Sequence, residues 1–387
     1  MYGNGMNRYV LLVVSIICGA SAMALAPTSA VSAQILDNTY QGVWRAKVTD
    51  IIDSQVRTIP GTDTTQLYQT IEAKVLEGPK EGEVIRIEND YLELDTGDAF
   101  YFNYSQYPDG TEGYGVISID RRLSLFVLGM VFVVAIILFG GWQGVRSLVA
   151  LGGSFLAIFY ILMPGILKGW DPVVASVLVA SGILFAAIFF THGFNRESLV
   201  AYGGTMLAVL LTGLFALVSV SGTDLSGFAS EAATYLNFNT RGSIDFASLL
   251  LGAIILGVLG VLDDIAVTQA AVVTELFRSN PSLTRKEVYM RAMRVGRGHV
   301  AALVNTLVLA YAGASLPLLL HTYMASSSVA MAINSEIFAT EIVRAVVGSM
   351  GLLFAVPIVT FFGVLYLRNY VPKGDHAHAG HSHGHHH

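Results

Sequence analysis

The chain has 387 residues, of which 53% are hydrophobic and only 13% are charged. With a mean hydropathy of +0.60, this composition is typical of proteins that cross a membrane several times, and it excludes an ordinary soluble enzyme. The net charge is −6, and the single cysteine, Cys18, excludes disulfide bonds within the chain and zinc or iron–sulfur sites built from cysteines.

The first 33 residues predict an export signal. An apolar stretch follows Arg8, and Val31-Ser32-Ala33 before Gln34 has the small residues of a signal-peptidase site. The segment is either a cleaved signal peptide or an uncleaved N-terminal signal anchor. Both alternatives predict that the residues after it are exported.

Residues 34–122 predict an extracytoplasmic β-domain. Short runs of alternating apolar and polar residues are separated by Gly, Pro and Asp, and residues 77–82 form the clearest turn. A small barrel or sandwich of about six strands is expected. The segment holds sixteen acidic and eight basic residues, and this acidity argues against binding to nucleic acid.

Seven apolar runs follow and predict seven transmembrane helices in a domain at residues 123–367, before a C-terminal tail at residues 368–387. The runs lie at about residues 123–141, 148–167, 173–190, 199–220, 247–277, 300–324 and 343–366. The expected fold class is therefore an α-helical membrane bundle with an N-terminal exported all-β domain.

The distribution of Lys and Arg predicts the orientation of these helices. Ten basic residues lie in the loops and tail on one side of the seven spans, against five on the other side. Because basic residues concentrate on the cytoplasmic side, the N-terminal domain is expected outside and the C-terminus in the cytoplasm.

Most of those basic residues lie between residues 278 and 298. Val288, Ala292 and Val295 recur there at helical spacing and predict an amphipathic helix. Its basic face could meet anionic lipid headgroups or a cytoplasmic partner, or it could serve only as an orientation signal.

The run at residues 247–277 carries two adjacent carboxylates, Asp263 and Asp264, near its midpoint. A helix of this length is about 46 Å long at about 1.5 Å per residue, enough to cross a bilayer core of about 30 Å. An ionised carboxylate at that depth is costly, so the pair predicts a polar cavity, a proton or a bound cation. If the pair instead lay at the membrane interface, the energetic cost of an ionised carboxylate would be lower, and so would the support for a functional site.

Adjacent residues on an ideal helix point about 100° apart. The two carboxylates are therefore not expected to face one narrow site unless the helix is distorted. Gly252, Gly257 and Gly260 precede the pair and allow either a close helix approach or a local break.

Four further polar residues complete the predicted substrate- or ion-binding site: Thr268 and Gln269 on the same run, and Asn305 and Thr306 on the next. An antiparallel neighbour would bring Asn305 to a depth close to that of Thr268 and Gln269. The alternative is interhelical hydrogen bonding worth about 0.6 kcal/mol per bond, without any transport role. His192, at the inner end of the third span, is interpreted as a structural group rather than a proton relay.

The tail predicts affinity for transition metals. Its histidines have short spacers that suit flexible binding of Zn²⁺, Ni²⁺, Co²⁺ or Cu²⁺. They are His376, His378, His381, His383, His385, His386 and His387. The tail is a native chelator, an adventitious metal binder or an appended sequence. A divalent transition metal bound to this tail is the one cofactor that the sequence suggests, and any other cofactor is unknown.

Several linked motifs stand in one order along the chain. They are His192-Gly193-Phe194-Asn195-Arg196 with Gly203-Gly204-Thr205, then Gly257 to Glu275, then Val295 to Leu320, and finally Gly348-Ser349-Met350-Gly351-Leu352. From about residue 75 to residue 368 the chain thereby resembles the YibE/F-like family of bacterial multi-pass membrane proteins. The resemblance implies a membrane protein of unassigned biochemical function, and the paired family name points to a related membrane subunit or a homo-oligomer as partner.

The family usually has Met-Asp ahead of a Val or Ala, where this chain has Leu262-Asp263-Asp264-Ile265. The resemblance therefore implies that Asp263 occupies the family's acidic position and that Asp264 is an addition.

These observations favour a secondary transporter of a cation, such as a divalent metal, or of a small solute. The Asp pair would be its charged centre, and the lipid bilayer would surround its helices. The alternative is a non-transporting envelope scaffold or stress sensor that acts through the exported β-domain. An enzyme is not expected, because adjacent aspartates on one helix match a two-carboxylate dyad poorly. Nor does the chain contain a Walker loop, a Gly-Xaa-Ser-Xaa-Gly elbow or a His-Glu-Xaa-Xaa-His helix.

Overall fold

A computed structural model describes residues 40–59, 64–107, 111–324 and 328–369. The chain divides into two compact units, residues 1–139 and residues 140–387. The predicted export signal at residues 1–33 and all seven histidines of the tail lie outside the described residues.

The first unit contains one antiparallel sheet with the strand order β3-β2-β1-β4-β5. Its strands are β1 (Tyr40–Thr58), β2 (Thr65–Val75), β3 (Val84–Asn89), β4 (Ala99–Gln106) and β5 (Glu112–Ile119). The described residues thus form five strands where the sequence predicted about six. The reason is β1, whose 19 residues pair with β4 over their first part and with β2 over the rest.

Alternation along the strands buries one face of the sheet, where Ile71, Ile87, Phe100 and Phe102 are almost fully buried. The sheet curls so that its two edge strands, β3 and β5, come into contact. The alternation from which the sequence predicted strands therefore also gives this unit its buried face.

A polar cluster links the β2–β3 turn to β5. The Lys80 ammonium donates to Glu112 Oε2 at 2.5 Å, and the hydroxyls of Tyr104 and Tyr114 donate to the same carboxylate at 2.8 and 2.6 Å. The bond from Lys80, followed by those from the two tyrosines, lowers the pKa of Glu112 to about 2.

The rest of the described chain is helical. Its helices are α1 (Arg122–Ala157), α2 (Met163–Leu167), α3 (Pro172–His192), α4 (Arg196–Gly222), α5 (Glu231–Asn239), α6 (Phe246–Ser279), α7 (Arg285–Ala314), α8 (Leu316–Met324), α9 (Val329–Asn334) and α10 (Glu336–Tyr366), with a π-helical turn (Ile158–Leu162) between α1 and α2.

Five of the described helical segments are long and apolar enough to cross a membrane, or six if the bent pair α7 and α8 forms one span. The sequence predicted seven. One span fewer results because the first two apolar runs belong to one helical stretch, Arg122–Leu167, which is interrupted at Gly141 by a non-helical backbone with φ 53° and ψ −137°. Glycine adopts this left-handed φ without a steric penalty. The sixth run is bent by 62° between α7 and α8, and the count is five when this bent pair is left out.

The basic segment after α6 does not form a separate helix. Thr284 caps α7 through a reciprocal pair of bonds with Glu287, and the helix then continues unbroken to Ala314. Of the three residues at helical spacing, Val288 and Ala292 are buried, whereas Val295 is 53% exposed.

Helix α6 lies at the centre of the bundle, in contact with α3, α4, α7 and α10. Small residues allow the closest of these approaches. At Gly252, an added Cβ would lie 3.0 Å from the Pro172 carbonyl oxygen and would collide with the Ser176 hydroxyl. The Asp pair therefore lies on a helix that contacts four others.

Candidate functional site

Asp263 and Asp264 lie halfway along α6, which runs from Phe246 to Ser279 without a break. Of the two alternatives that the glycines before the pair allowed, the structure has the close approach, at Gly252, and not a broken helix. The 34 residues of α6 extend about 50 Å at about 1.5 Å per residue, so the pair is about 25 Å from either end.

Both carboxylates line one cavity of about 360 Å³. Its walls come from the second part of α1, the π-helical turn, α3 and α6. Its polar lining consists of Ser147, Ser154, Thr191, His192, Asp263 and Asp264, and the remaining lining residues are apolar apart from Gly260. The helix needs no distortion for both carboxylates to reach this cavity, because the cavity is wide enough to meet two adjacent positions on one turn.

The two carboxylates differ in their surroundings. Asp263 is half-buried, and its buried Oδ1 has no hydrogen-bond partner among the described residues. Asp264 is more exposed. An unpartnered polar atom in a low-dielectric setting is costly. A proton, a cation or an ordered water bound at Oδ1 of Asp263 would supply the missing partner.

His192 lies at the last residue of α3 and reaches the same cavity. The backbone turns sharply after it, since Gly193 has φ +82°. Asn195 then holds the turn, because its amide donates to the His192 carbonyl at 3.0 Å while its Oδ1 accepts from the Ser198 N–H at 2.7 Å. The motif that precedes α4 therefore positions a histidine beside the Asp pair.

Gln269 lies elsewhere, in a buried contact between α6, α7 and α10. Its amide donates to the Ala292 carbonyl at 3.0 Å and to Thr360 Oγ1 at 2.7 Å. Thr268, its neighbour, is exposed and does not line the Asp cavity. Gln269 thus holds three helices together at the place where Gly296 lets α7 approach.

Asn305 and Thr306 are both exposed on α7 and do not line the Asp cavity. The Thr306 hydroxyl donates to the Ala302 carbonyl of its own helix at 3.0 Å. Of the six residues in the predicted ion site, the structure brings together only Asp263 and Asp264.

Sequence reasoning missed three residues of the polar cavity lining, Ser147, Ser154 and Thr191, and it gave His192 only a structural role. The position of His192 in a capped turn was a usable signal. The two serines gave none, because they lie more than a hundred residues before the Asp pair in sequence, and only packing brings them to the cavity.

Among the described residues, no group of three or more His, Cys, Asp and Glu side chains could hold a metal ion. The tail histidines, which the sequence assigned to metal binding, are outside that part of the chain.

The long apolar helices of this unit define a multi-span membrane protein, and its bundle contains a cavity lined by two carboxylates. Residues 128–369 match the model of the YibE/F-like protein family, and the chain therefore belongs to that family. The match begins at residue 128, so it covers the helices and leaves the β-sheet outside, although the motifs suggested a resemblance from about residue 75. Neither curated proteins nor solved structures gave a match.

Proposed function

We propose that this protein is a secondary membrane transporter that moves a cation, or a small solute together with a cation, and that Asp263 and Asp264 are its charged centre. The observation that carries the proposal is the unpartnered Oδ1 of Asp263, in a cavity that it shares with a second carboxylate.

The energetic cost of an unpaired carboxylate supports this function. Placing one aspartate at the centre of a membrane helix costs about 2.5–3.5 kcal/mol on insertion scales. A structural carboxylate would offset that cost with a hydrogen bond or an ion pair, as Glu341 does with Arg344 at 2.7 Å. Asp263 has neither among the described residues, which supports a ligand that comes and goes.

Orientation is part of the proposal. We assign the β-domain to the outside of the bacterial inner membrane and the C-terminus to the cytoplasm, from the asymmetry of basic residues. A related membrane subunit or a second copy of the chain is the expected protein partner.

The test is flux into proteoliposomes that contain the purified full-length protein, with protons, Zn²⁺, Mn²⁺, Co²⁺ and Ni²⁺ as the ions offered. We expect the Asp263→Asn/Asp264→Asn double variant to fall to the level of protein-free liposomes. Glu275→Gln is the matched control, since Glu275 is an exposed carboxylate on the same helix and does not line the cavity.

Two further variants define the limits of the site. Asn305→Ala/Thr306→Ala tests the two polar residues that lie away from the cavity, and we expect flux within about twofold of the unmodified protein, because neither contacts the Asp pair. A protein ending at Lys373 tests whether the tail histidines select the metal.

Flux that survives the Asp double variant would disprove the role of the pair. No flux of any ion, in folded and correctly oriented protein, would favour the envelope scaffold, whose activity would instead depend on residues 34–122.

A further inference from the structure

A second, smaller cavity of about 180 Å³ lies next to the Asp cavity. It is lined by His192, the first residues of α4 and two residues of α6, Val267 and Ala271. Ala271 is seven residues beyond Asp264, or about 10 Å farther along the helix. The second cavity therefore lies toward the end of α6 that the basic-residue asymmetry assigns to the cytoplasm.

His192 lines both cavities. It is the one side chain common to the two sets of lining residues. The two cavities therefore adjoin at this imidazole.

The lining of the second cavity is polar at its α4 side. Ser198 is 3% exposed, and its buried hydroxyl has no hydrogen-bond partner among the described residues. Glu197 is half-buried and interacts with the hydroxyl of Thr274 on α6. A buried hydroxyl without a partner is normally satisfied by water or a ligand, so this cavity is built to hold a polar occupant.

The sign of the charge favours a cation. Glu197 supplies a carboxylate on one side of His192, and Asp263 and Asp264 supply two on the other. The neighbouring cation, Arg196, lines a different cavity, of about 630 Å³, together with Phe362 and Tyr366 of α10. No Lys or Arg side chain lines either of the two cavities that have His192 in their walls.

We propose that the cavity lined by Asn195, Glu197 and Ser198 is the cytoplasmic vestibule through which a cation reaches the Asp pair, and that His192 is the gate between the two. This inference rests on the proposed transport function and adds to it a route and a side. The rigid turn held by Asn195 fixes the backbone of the gate, so the imidazole itself is the part that moves.

Accessibility of introduced cysteines tests the vestibule without any need to know the substrate. Replacing Cys18 by Ser removes the native thiol, and Ser198→Cys then places a nearly isosteric thiol in the vestibule. Inside-out and right-side-out membrane vesicles are treated with a cationic or an anionic membrane-impermeant methanethiosulfonate, and unreacted thiols are then counted with a fluorescent maleimide after unfolding.

We expect Ser198→Cys to react from the cytoplasmic face, about tenfold faster with the cationic reagent than with the anionic one, because Glu197 attracts positive charge. Glu197→Gln in the same background should remove most of that preference. Ser176→Cys is the control matched in burial, since Ser176 is 2% exposed, close to the value for Ser198, but packs against Gly252 and lines neither cavity.

A second measurement tests the gate. Ser154→Cys lies in the Asp cavity, and Ag⁺ added from the cytoplasmic face is a cation small enough to reach it. We expect His192→Phe to slow this reaction at least about tenfold, since a bulky apolar ring then fills the junction. His299→Phe, a change at an exposed histidine of α7 that lines neither cavity, should leave the reaction unchanged.

Three results would overturn the inference: a Ser198→Cys thiol that reacts no faster than the Ser176→Cys thiol, equal rates with the two reagents, or a Ser154→Cys reaction that His192→Phe leaves unchanged. The flux measurement keeps the two proposals separate. Loss of flux in the Asp double variant with an inaccessible Ser198→Cys would reject the vestibule alone. An accessible vestibule with flux unchanged in the Asp double variant would reject the role of the Asp pair, and no flux of any ion in the unmodified protein would reject the transport function.

Discussion

Asp263 and Gln269 lie six residues apart on α6, and each places a polar group inside an apolar bundle, yet their surroundings are opposite. Gln269 donates two hydrogen bonds that join three helices. The buried oxygen of Asp263 has no hydrogen-bond partner among the described residues and faces a cavity with a second carboxylate. A satisfied polar group contributes to packing, whereas an unsatisfied carboxylate lowers stability and is retained for what it binds.

The largest effect is expected at Asp263. Asp263→Leu should abolish flux and at the same time raise the free energy of unfolding by about 1–3 kcal/mol, because it removes an unpaired polar group from the bundle. Flux assays and thermal unfolding in detergent measure the two effects on one sample. A loss of stability would show that the carboxylate has a structural partner, and the contrast with Gln269 would fail.

Gln269 should show the reverse behaviour. Gln269→Met preserves the shape of the side chain but removes both donated bonds, so we expect stability to fall by about 0.6–1.7 kcal/mol while the folded protein retains its flux. A double-mutant cycle with Thr360→Val isolates the bond between them. Additive effects of the two changes would mean that the bond contributes nothing.

The smallest effect is expected in the β-domain, at Glu112. Its pKa is about 2 in the folded domain and near 4.5 without partners, so its contribution is complete above about pH 4.5 and is lost as the pH falls toward 2. Glu112→Gln should lower the midpoint of β-domain unfolding at pH 7 by about 2–4 °C, in keeping with an exposed ion pair. The difference from the unmodified domain should vanish near pH 2.

Trp44 fluorescence reports this transition once Trp142 and Trp170, the other two tryptophans, are changed to Phe. Trp44 lies on β1, where its ring packs against Gly78 in the turn that contains Lys80. A difference that persists unchanged at pH 2 would show that Glu112 acts through packing rather than charge.

Much of this protein followed from its sequence alone. Long apolar runs predicted membrane helices, alternation predicted the β-sheet, and linked motifs predicted the family that residues 128–369 then matched. The position of the Asp pair along its helix also followed, because residues 263 and 264 lie near the midpoint of the apolar run and in the middle of α6. These properties depend on local periodicity and length, which a single sequence contains.

The tertiary structure decided which polar groups share a site. It separated Gln269, Asn305 and Thr306 from the Asp cavity, and it added His192 from α3 and the serines from α1. It also merged the first two apolar runs into one kinked stretch. Periodicity assigns faces to each helix, but which faces meet depends on the close packing of segments far apart in the chain, and that information is not local.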